Sequence, residues 1–278
     1  MPEFTVLIPT HDHVSTLRYS IASVQAQTVQ DFEIFVVGDG APLETRTLVH
    51  DLAARDSRIW YFENEKGERH GELHRHVALA EARGRYIAYL PDDDLWAPEH
   101  LERVCEALQD HDLVHTMHIG IRPDGRLSSR FFDARVEADL AQMRRSSNGF
   151  GLGVGAHSMG AYRRLPRGWN PAPPSMATDI FFWLQFLEQS WCRYRPLFWP
   201  TLFHFSSRWR RGHDAKSRET ELARWARNLS SGDFRSLVVR RALEAILVAE
   251  HRAAVASLAS EIGRNHESTA AISLPPGD

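Results

Sequence analysis

The sequence predicts an α/β fold built around a mostly parallel sheet, and three observations carry that expectation. Short apolar, β-prone runs alternate with stretches of helical period through residues 4–90. Such alternation is the βαβ rhythm, whose crossovers are right-handed. One of the runs, Tyr86-Ile87-Ala88-Tyr89-Leu90, stops at Pro91 and three consecutive carboxylates, Asp92, Asp93 and Asp94, and strand ends are where open α/β sheets keep their ligands. A chain of 278 residues, 43% hydrophobic and 25% charged, can also bury the core that such a sheet requires.

Taken in order, Phe4–Pro9 is the first apolar run, and Leu17–Ala26 has helical spacing through Leu17, Ile21 and Val24. Glu33–Val37 reads as a second strand and ends at Gly38-Asp39-Gly40, a turn that brings a carboxylate to a strand terminus. Leu43–Ala54 has a helix pattern, Ile59–Glu63 a strand pattern, Glu72–Ala82 a helix pattern, and Arg85–Leu90 is the strand before the acids. Pro98 suits a first helical position, with the helix continuing through Glu99–Gln109. Leu113–Met117 is a further strand, and Asp124-Gly125 turns a hairpin between Ile119–Arg122 and Leu127–Phe131.

The rhythm then breaks. From Asn148 to Gly155 every second residue is glycine, so one face of an extended segment would carry no side chains and admit a ligand or another backbone. This is not a GxGxxG opening a helix, which disfavours a dinucleotide fold. Pro171 to Pro174 give a stiff loop, and the helix expected over Asp179–Gln189 carries an aromatic stripe, Phe182, Phe186 and Trp191, that belongs to a core rather than to a sugar platform. Residues 219–262 are helical in pattern and 266–278 read as a flexible tail.

The two cysteines, Cys105 and Cys192, form no framework and no CxxC spacing, which fits a reducing compartment and a cytoplasmic protein. No segment approaches the roughly 18 apolar residues of a membrane span, and the start of the chain lacks the basic, apolar make-up of a signal peptide. A net charge of −3 argues against general nucleic-acid binding. Charge is unevenly placed, however. Residues 206–241 hold ten Lys/Arg against four Asp/Glu, a local +6 that leaves −9 on the remainder. That stretch can face phosphates or an anionic membrane surface, or it is a set of solvated helix faces.

Three adjoining carboxylates repel unless something offsets them, and a divalent cation with oxygen ligands is the economical partner. The bland alternative is a solvated acidic turn capping the helix near Pro98.

Together these pieces resemble a glycosyltransferase of family 2, the GT-A type. The matching stretches are Thr5-Val6-Leu7-Ile8-Pro9-Thr10, Ser23-Val24-Gln25-Ala26-Gln27-Thr28, Phe32 to Gly40, and Ala82-Arg83-Gly84-Arg85 through Asp94. They cover residues 4–110 well and thin thereafter. The resemblance implies a Rossmann-like sheet flanked by helices, with a GT-A catalytic domain over 1–215, its nucleotide-sugar half at 1–110 and its acceptor half at 111–215, followed by a helical extension at 216–265.

It also implies roles. Asp39 corresponds to the carboxylate that recognises the base or ribose, with a plain Gly-Asp-Gly turn as the alternative. Pro9, Thr10 and Asp12, after the first strand, would line the same pocket. Arg75 resembles the arginine near the nucleotide, or is a surface helix charge. In the register of the triplet, Asp93 takes the metal-contacting place, with Asp92 beside the ribose and Asp94 nearby, although the family more often has a carboxylate where Pro91 stands. Mn²⁺ or Mg²⁺ suits such hard ligands. Asp179 resembles the base that deprotonates the acceptor, and the helix N-cap is its competing role.

His204 and His213 flank a Ser-Ser-Arg-Trp-Arg-Arg loop that could close over a diphosphate, with one imidazole as an extra metal ligand. His70, His74 and His76 read as loop and helix-surface residues, since a zinc site would need a fourth ligand. Phe205 stands where processive members carry Gln before the Arg-Trp pair, which argues against polymer extrusion. The expected activity is therefore inverting transfer from a nucleotide-diphosphate sugar, UDP-linked by default, to a hydroxyl of a glycan, glycolipid or small molecule. Its rivals are a nucleotidyltransferase, disfavoured by Pro9-Thr10-His11-Asp12-His13 where a phosphate loop belongs, and a nucleotide-sugar sensor without turnover.

Overall fold

In the computed structural model, which describes residues 1–146 and 149–270, the chain runs β1 (Phe4–Thr10), α1 (Val14–Gln25), β2 (Phe32–Gly38), α2 (Leu43–Ala53), β3 (Ile59–Phe62), α3 (Glu72–Ala80) and β4 (Tyr86–Tyr89) through its first part. These strands pair in parallel in the order β3-β2-β1-β4, with Phe4 opposite both Phe32 and Tyr86. β2 and β4 are buried along their whole length, which is why, Glu33 apart, they read as apolar runs. On α1 the buried face is Leu17, Ile21 and Val24, with Thr16 and Ser20 between them.

Two conspicuous motif residues are structural. Glu33 is a buried charge whose Oε1 accepts from Thr5 Oγ1 and from the Arg83 N–H at 2.7 Å each, while Arg83 Nε donates to Oε2 at 2.8 Å. Gly84 lies directly on β1, so close that a Cβ there would sit 2.2 Å from the Thr5 nitrogen.

After Leu90 the chain leaves the middle of the sheet, passes through the acids and rejoins at the far edge as β5 (Leu95–Trp96). It continues through α4 (His100–Leu108), β6 (Leu113–Ile121), β7 (Leu127–Ser128), α5 (Glu137–Arg144), β8 (Gly155–Ser158), α6 (Met159–Arg163), α7 (Thr178–Leu187), β9 (Tyr194–His204), α8 (Ala215–Leu229) and α9 (Gly232–Ala270). The sheet is completed as β4-β8-β6-β9-β5, where only β6 and β9 pair in parallel. The acidic segment thus spans the carboxyl edge of the sheet, the site-bearing edge in this class.

Several expectations change in detail. Pro98 precedes the helix in a turn, and Glu99 is the N-cap of α4. The two strands expected around Met117 are one strand, β6, with register irregularities beside Met117. The alternating glycines do not form one extended segment. Asn148 lies outside the described residues, residues 152–154 make a single 3₁₀ turn, and only Gly155 enters β8. The protein's own side chains fill the space the missing Cβ atoms leave, because a Cβ at Gly155 would be 2.3 Å from Trp183 Cζ2 and one at Gly153 would be 2.8 Å from Pro91 Cδ. Phe182 and Phe186 are core, with Phe182 stacked on Trp169 at 3.7 Å.

The helical C-terminal part is two helices. Leu222, Leu229, Val238 and Ala242 pack on Leu95, Ile119, Ile121, Phe203 and Phe205 at the β5 edge, and α8 lies against α1. α9 continues through Ala270, into the expected tail, and residues 271–278 lie outside the described residues.

Candidate active site

Parallel pairing brings the carboxyl ends of β1 and β2 side by side, and the Asp39 N–H donates to the Thr10 carbonyl at 2.9 Å. Here lies a cavity of about 290 Å³ whose lining includes Pro9, Thr10, Asp12, Asp39, Arg75 and Asp92. The structure therefore gathers in one place all six residues that the sequence offered for the nucleotide sugar.

Asp39 does not serve its own turn. Its Oδ2 accepts from Lys66 Nζ at 2.7 Å and its Oδ1 from the Gly67 N–H at 2.6 Å. Burial alone would raise its pKa, but those donors hold it below the ordinary carboxylate value. Gly71, at φ +70°, lets the 64–71 loop close on this side chain, since a Cβ there would fall 2.7 Å from Asp39 Cγ. His70 is an exposed loop residue, as expected, at the rim of the same cavity, whereas His74 is half-buried with Nε2 3.6 Å from Asp39 Oδ1.

Arg75 is not a surface helix charge either. Only 6% exposed, it donates through Nη2 to the His70 carbonyl at 2.6 Å, lies 4.8 Å over the Trp169 ring and leaves its Nε buried without a partner. Burial lowers its pKa. A desolvated guanidinium bordering the cavity is suited to meet an anionic ligand.

The three acids part company. Asp92 Oδ1 is 3.0 Å from His13 Nδ1. Asp93 Oδ2 accepts from Ser207 Oγ at 2.9 Å and from Arg218 Nη2 at 2.6 Å. Arg218 Nη1 reaches His13 Nε2 at 2.8 Å, so the neutral ring with Nδ1 protonated satisfies both neighbours. Asp94 faces inward, fully buried, with His204 Nδ1 at 2.9 Å from Oδ2 and the Phe205 N–H donating to Oδ1 at 2.7 Å. Burial, then Asp94 and Asp92, push the Asp93 carboxyl up to about 6.

One ligand atom from each of His13, Asp92 and Asp93 lies within 4.8 Å of the other two. Two carboxylates and an imidazole could hold a divalent metal ion, in a place where the Arg218 guanidinium now pairs with Asp93. Asp94 and His204 engage each other instead. His213 is exposed and lines a separate hollow with Pro123, Lys216 and Thr220. His13 and Arg218 are the site residues that sequence reasoning missed. A signal for the first existed in the polar His11-Asp12-His13 at a strand end, whereas Arg218 is 125 residues from the acid it touches.

Beyond Pro91, which borders both spaces, a second cavity of about 410 Å³ is lined by Asp94, His118, Arg130, Phe150, Asp179 and His204 among others. Asp179 is the second residue of α7, whose N-cap is Ala177, and its Oδ1 accepts from the Ile180 N–H at 2.9 Å. It is a first-turn acid and not the cap. Burial raises its pKa, and backbone N–H groups and the Arg75 charge only partly oppose that.

The sequence profile described as Glycosyl transferase family 2 matches residues 5–166, more than half of the chain. This chain belongs to glycosyltransferase family 2. Among curated relatives of this family 2 glycosyltransferase is the Campylobacter jejuni GalNAc(5)-diNAcBac-PP-undecaprenol beta-1,3-glucosyltransferase, 28% identical over 139 residues. That match covers 50% of this chain and 45% of the relative, so the chain spans less than half of the relative's length. Among solved structures, S. aureus TarS 1-349 superposes with a TM-score of 0.59 at 16% identity, covering 87% of this chain and 70% of that one. Pyrobaculum calidifontis mannosyltransferase PcManGT, solved with GDP-Man and Mn²⁺, gives 0.55 at 16% identity, covering 94% and 80%. The architecture is the GT-A one, and the family 2 match spans the four parallel strands and the acid segment. Among the described residues no helix is long and apolar enough to cross a membrane.

Proposed function

We propose that this enzyme transfers a sugar from a nucleoside-diphosphate donor to an acceptor hydroxyl, with a divalent cation and with inversion at the anomeric carbon. One observation carries the proposal: two cavities meet at Pro91, the first bordered by Asp39, Arg75 and Asp92 and the second by Asp179. Donor and acceptor thus have separate chambers that share one wall at the acid segment.

On the donor side Asp39 reads ribose or base donors, with Lys66 and Gly67 fixing its orientation, and Pro9, Thr10 and Asp12 complete the wall. Arg75 supplies positive charge from within. Asp92, Asp93 and His13 would hold Mn²⁺ or Mg²⁺, which when bound neutralises charge on the departing diphosphate. Across Pro91, Asp179 takes the proton from the acceptor hydroxyl, a task helped by its raised pKa. Single displacement needs that one base and no enzyme nucleophile.

UDP-linked sugar is the default donor. TarS has been solved with UDP-GlcNAc and PcManGT with GDP-Man and Mn²⁺, which supports the donor class without choosing the base. The undecaprenol-linked substrate named for the Campylobacter relative supports a glycan or glycolipid acceptor. Basic residues of 206–241 can meet an anionic membrane surface while the free thiols Cys105 and Cys192 keep to the cytoplasm. We keep residues 1–110 as the donor half, 111–215 as the acceptor half and 216–265 as the helical extension, which lends Arg218 to the site.

A panel of nucleotide sugars tests the reading by thermal stabilisation with and without Mn²⁺. One donor should raise the melting temperature in a cation-dependent way, and Asp93→Ala should abolish the shift. A panel that leaves wild type and variant unmoved, with or without Mn²⁺, sinks the proposal.

A further inference from the structure

Among the described residues, Asp93 is the carboxylate that pairs with Arg218. The arginine sits in the first turns of α8, fixed there by Asp214, whose Oδ1 accepts from the Ser217 N–H at 2.7 Å. The guanidinium makes three side-chain contacts, to Asp93 Oδ2, to Ser207 Oγ at 2.9 Å and to His13 Nε2, and its side chain is 14% exposed. Asp93 and His13 belong to the group that can hold a cation.

A guanidinium nitrogen 2.6 Å from Asp93 Oδ2 occupies the space in which a divalent ion would bind that oxygen, at the roughly 2.0–2.1 Å typical of a small hard cation. Two cations cannot share that position. We propose that Arg218 is a stand-in for the metal in the donor-free enzyme and becomes a positioning residue for the diphosphate once the ion arrives, a reading that rests on the donor site proposed above. Displaced from Asp93, the guanidinium is left partly desolvated and unpaired. The anion that the incoming cation would carry, a diphosphate whose paired oxygens suit the planar guanidinium fork, is the natural new partner for that side chain. Ser207 connects the two positions, because its hydroxyl is bonded to both Asp93 and Arg218.

Linkage makes this measurable. Because Arg218 competes with the cation, Mn²⁺ alone binds weakly. Because it pairs with the diphosphate, UDP and Mn²⁺ strengthen one another by a factor that must be the same measured from either side. Removing the guanidinium relieves the competition and removes the partner, so the two affinities move in opposite directions.

The experiment measures Mn²⁺ binding by the loss of its free paramagnetic resonance signal, with and without UDP, for wild type, Arg218→Ala and Arg218→Gln. The second variant keeps a hydrogen-bonding amide that can still staple α8 to Ser207, and circular dichroism checks that each is folded. Both variants are expected to bind Mn²⁺ alone about tenfold more tightly than wild type, while the enhancement that UDP confers falls about tenfold. Arg218→Lys should lie between. Unchanged or weaker Mn²⁺ binding in both folded variants overturns the proposal and leaves Arg218 a structural staple. Tighter Mn²⁺ binding in the variants with no UDP binding in any protein, wild type included, upholds the competition with the metal, overturns the pairing of Arg218 with a uridine diphosphate and refutes UDP as the donor nucleotide.

Discussion

The ring of His204 lies 2.9 Å from Asp94 Oδ2, and with the Phe205 N–H at 2.7 Å from Oδ1 it takes up both oxygens of the one acid in the triplet that has no exposed surface. The Asp94 carbonyl also accepts from Ser20 Oγ at 2.9 Å. This residue therefore ties α1, the acid segment and the end of β9 together, and it gives its neighbours Asp92 and Asp93 a rigid base.

Asp94→Ala should for that reason cost stability before it costs anything else. Removing the carboxylate strands a buried backbone N–H and an imidazole, a change worth about 2–4 kcal/mol. Urea unfolding followed by fluorescence measures it. A variant as stable as wild type that merely loses Mn²⁺ affinity would return Asp94 to the role of a simple metal ligand.

How much of this was legible depended on sequence distance and on burial. β1, β2 and β4 were readable because strands covered on both faces are mostly apolar, the buried Thr5 and Glu33 being paired to each other. Once those are parallel, Thr10, Asp39 and Asp92 must gather at one edge, so the cavity they line followed from the order of the strands. β9 was not readable. Pro196 and Pro200 interrupt its pattern, and β6 accommodates it through register shifts near Met117. Arg218 on Asp93 and His13 on Asp92 are pairings across 125 and 79 residues that no local pattern records. The division of the triplet into a pair beside His13 and Arg218 and an inward clamp was equally hidden, because three identical side chains carry no mark of which one the β9 end will cover.

Gly84→Ala tests whether a matched motif position is structural. The new methyl would stand 2.2 Å from the Thr5 nitrogen and 2.5 Å from the Phe4 carbonyl carbon, both in the fixed backbone of β1. A loss of about 3 kcal/mol or more is expected in thermal or urea unfolding. Gly125→Ala is the control, since φ there is +82° but nothing lies within 4 Å, and about 1 kcal/mol of backbone strain is all it should cost. Equal effects from the two substitutions would contradict the close approach of Gly84 to β1.

Acid should unfold this protein early. His100, His115 and His157 are buried and neutral, and desolvation lowers their pKa values to about 3, about 4 and about 3. His100 and His157 have polar partners, Thr201 Oγ1 at 2.7 Å and Tyr89 Oη at 2.8 Å, that do not require the charged ring. Each folded pKa is below the unfolded value near 6.5, so the unfolded chain binds more protons between the two. Stability is full above about 6.5 and falls with pH toward about 4, by up to about 1.4 kcal/mol per pH unit for each ring. Urea midpoints taken from pH 7.5 to 5 should decline steeply, and His100→Gln should flatten the slope. A midpoint independent of pH over that interval would contradict three neutral buried rings.

Asp179→Asn separates chemistry from binding more cleanly than any other single change here. Asparagine keeps the size of the side chain and can still accept from the Ile180 N–H through its carbonyl oxygen, so the helix start and the 410 Å³ cavity should persist. What disappears is the proton acceptor, worth about 10²–10⁴ in rate for general base catalysis. Donor affinity should hold, because the cavity lined by Asp39 and Arg75 lies on the other side of Pro91. In the wild type, burial sets the Asp179 carboxyl above its ordinary value, so the acid limb of kcat/KM should fall at a higher pH than a solvent-exposed aspartate would give. The substituted amide cannot titrate, and the variant's residual rate should lose that limb. Transfer within a few-fold of wild type, with the acid limb intact, would place the base elsewhere. The other carboxylate lining the same cavity, Asp94, already has both oxygens engaged.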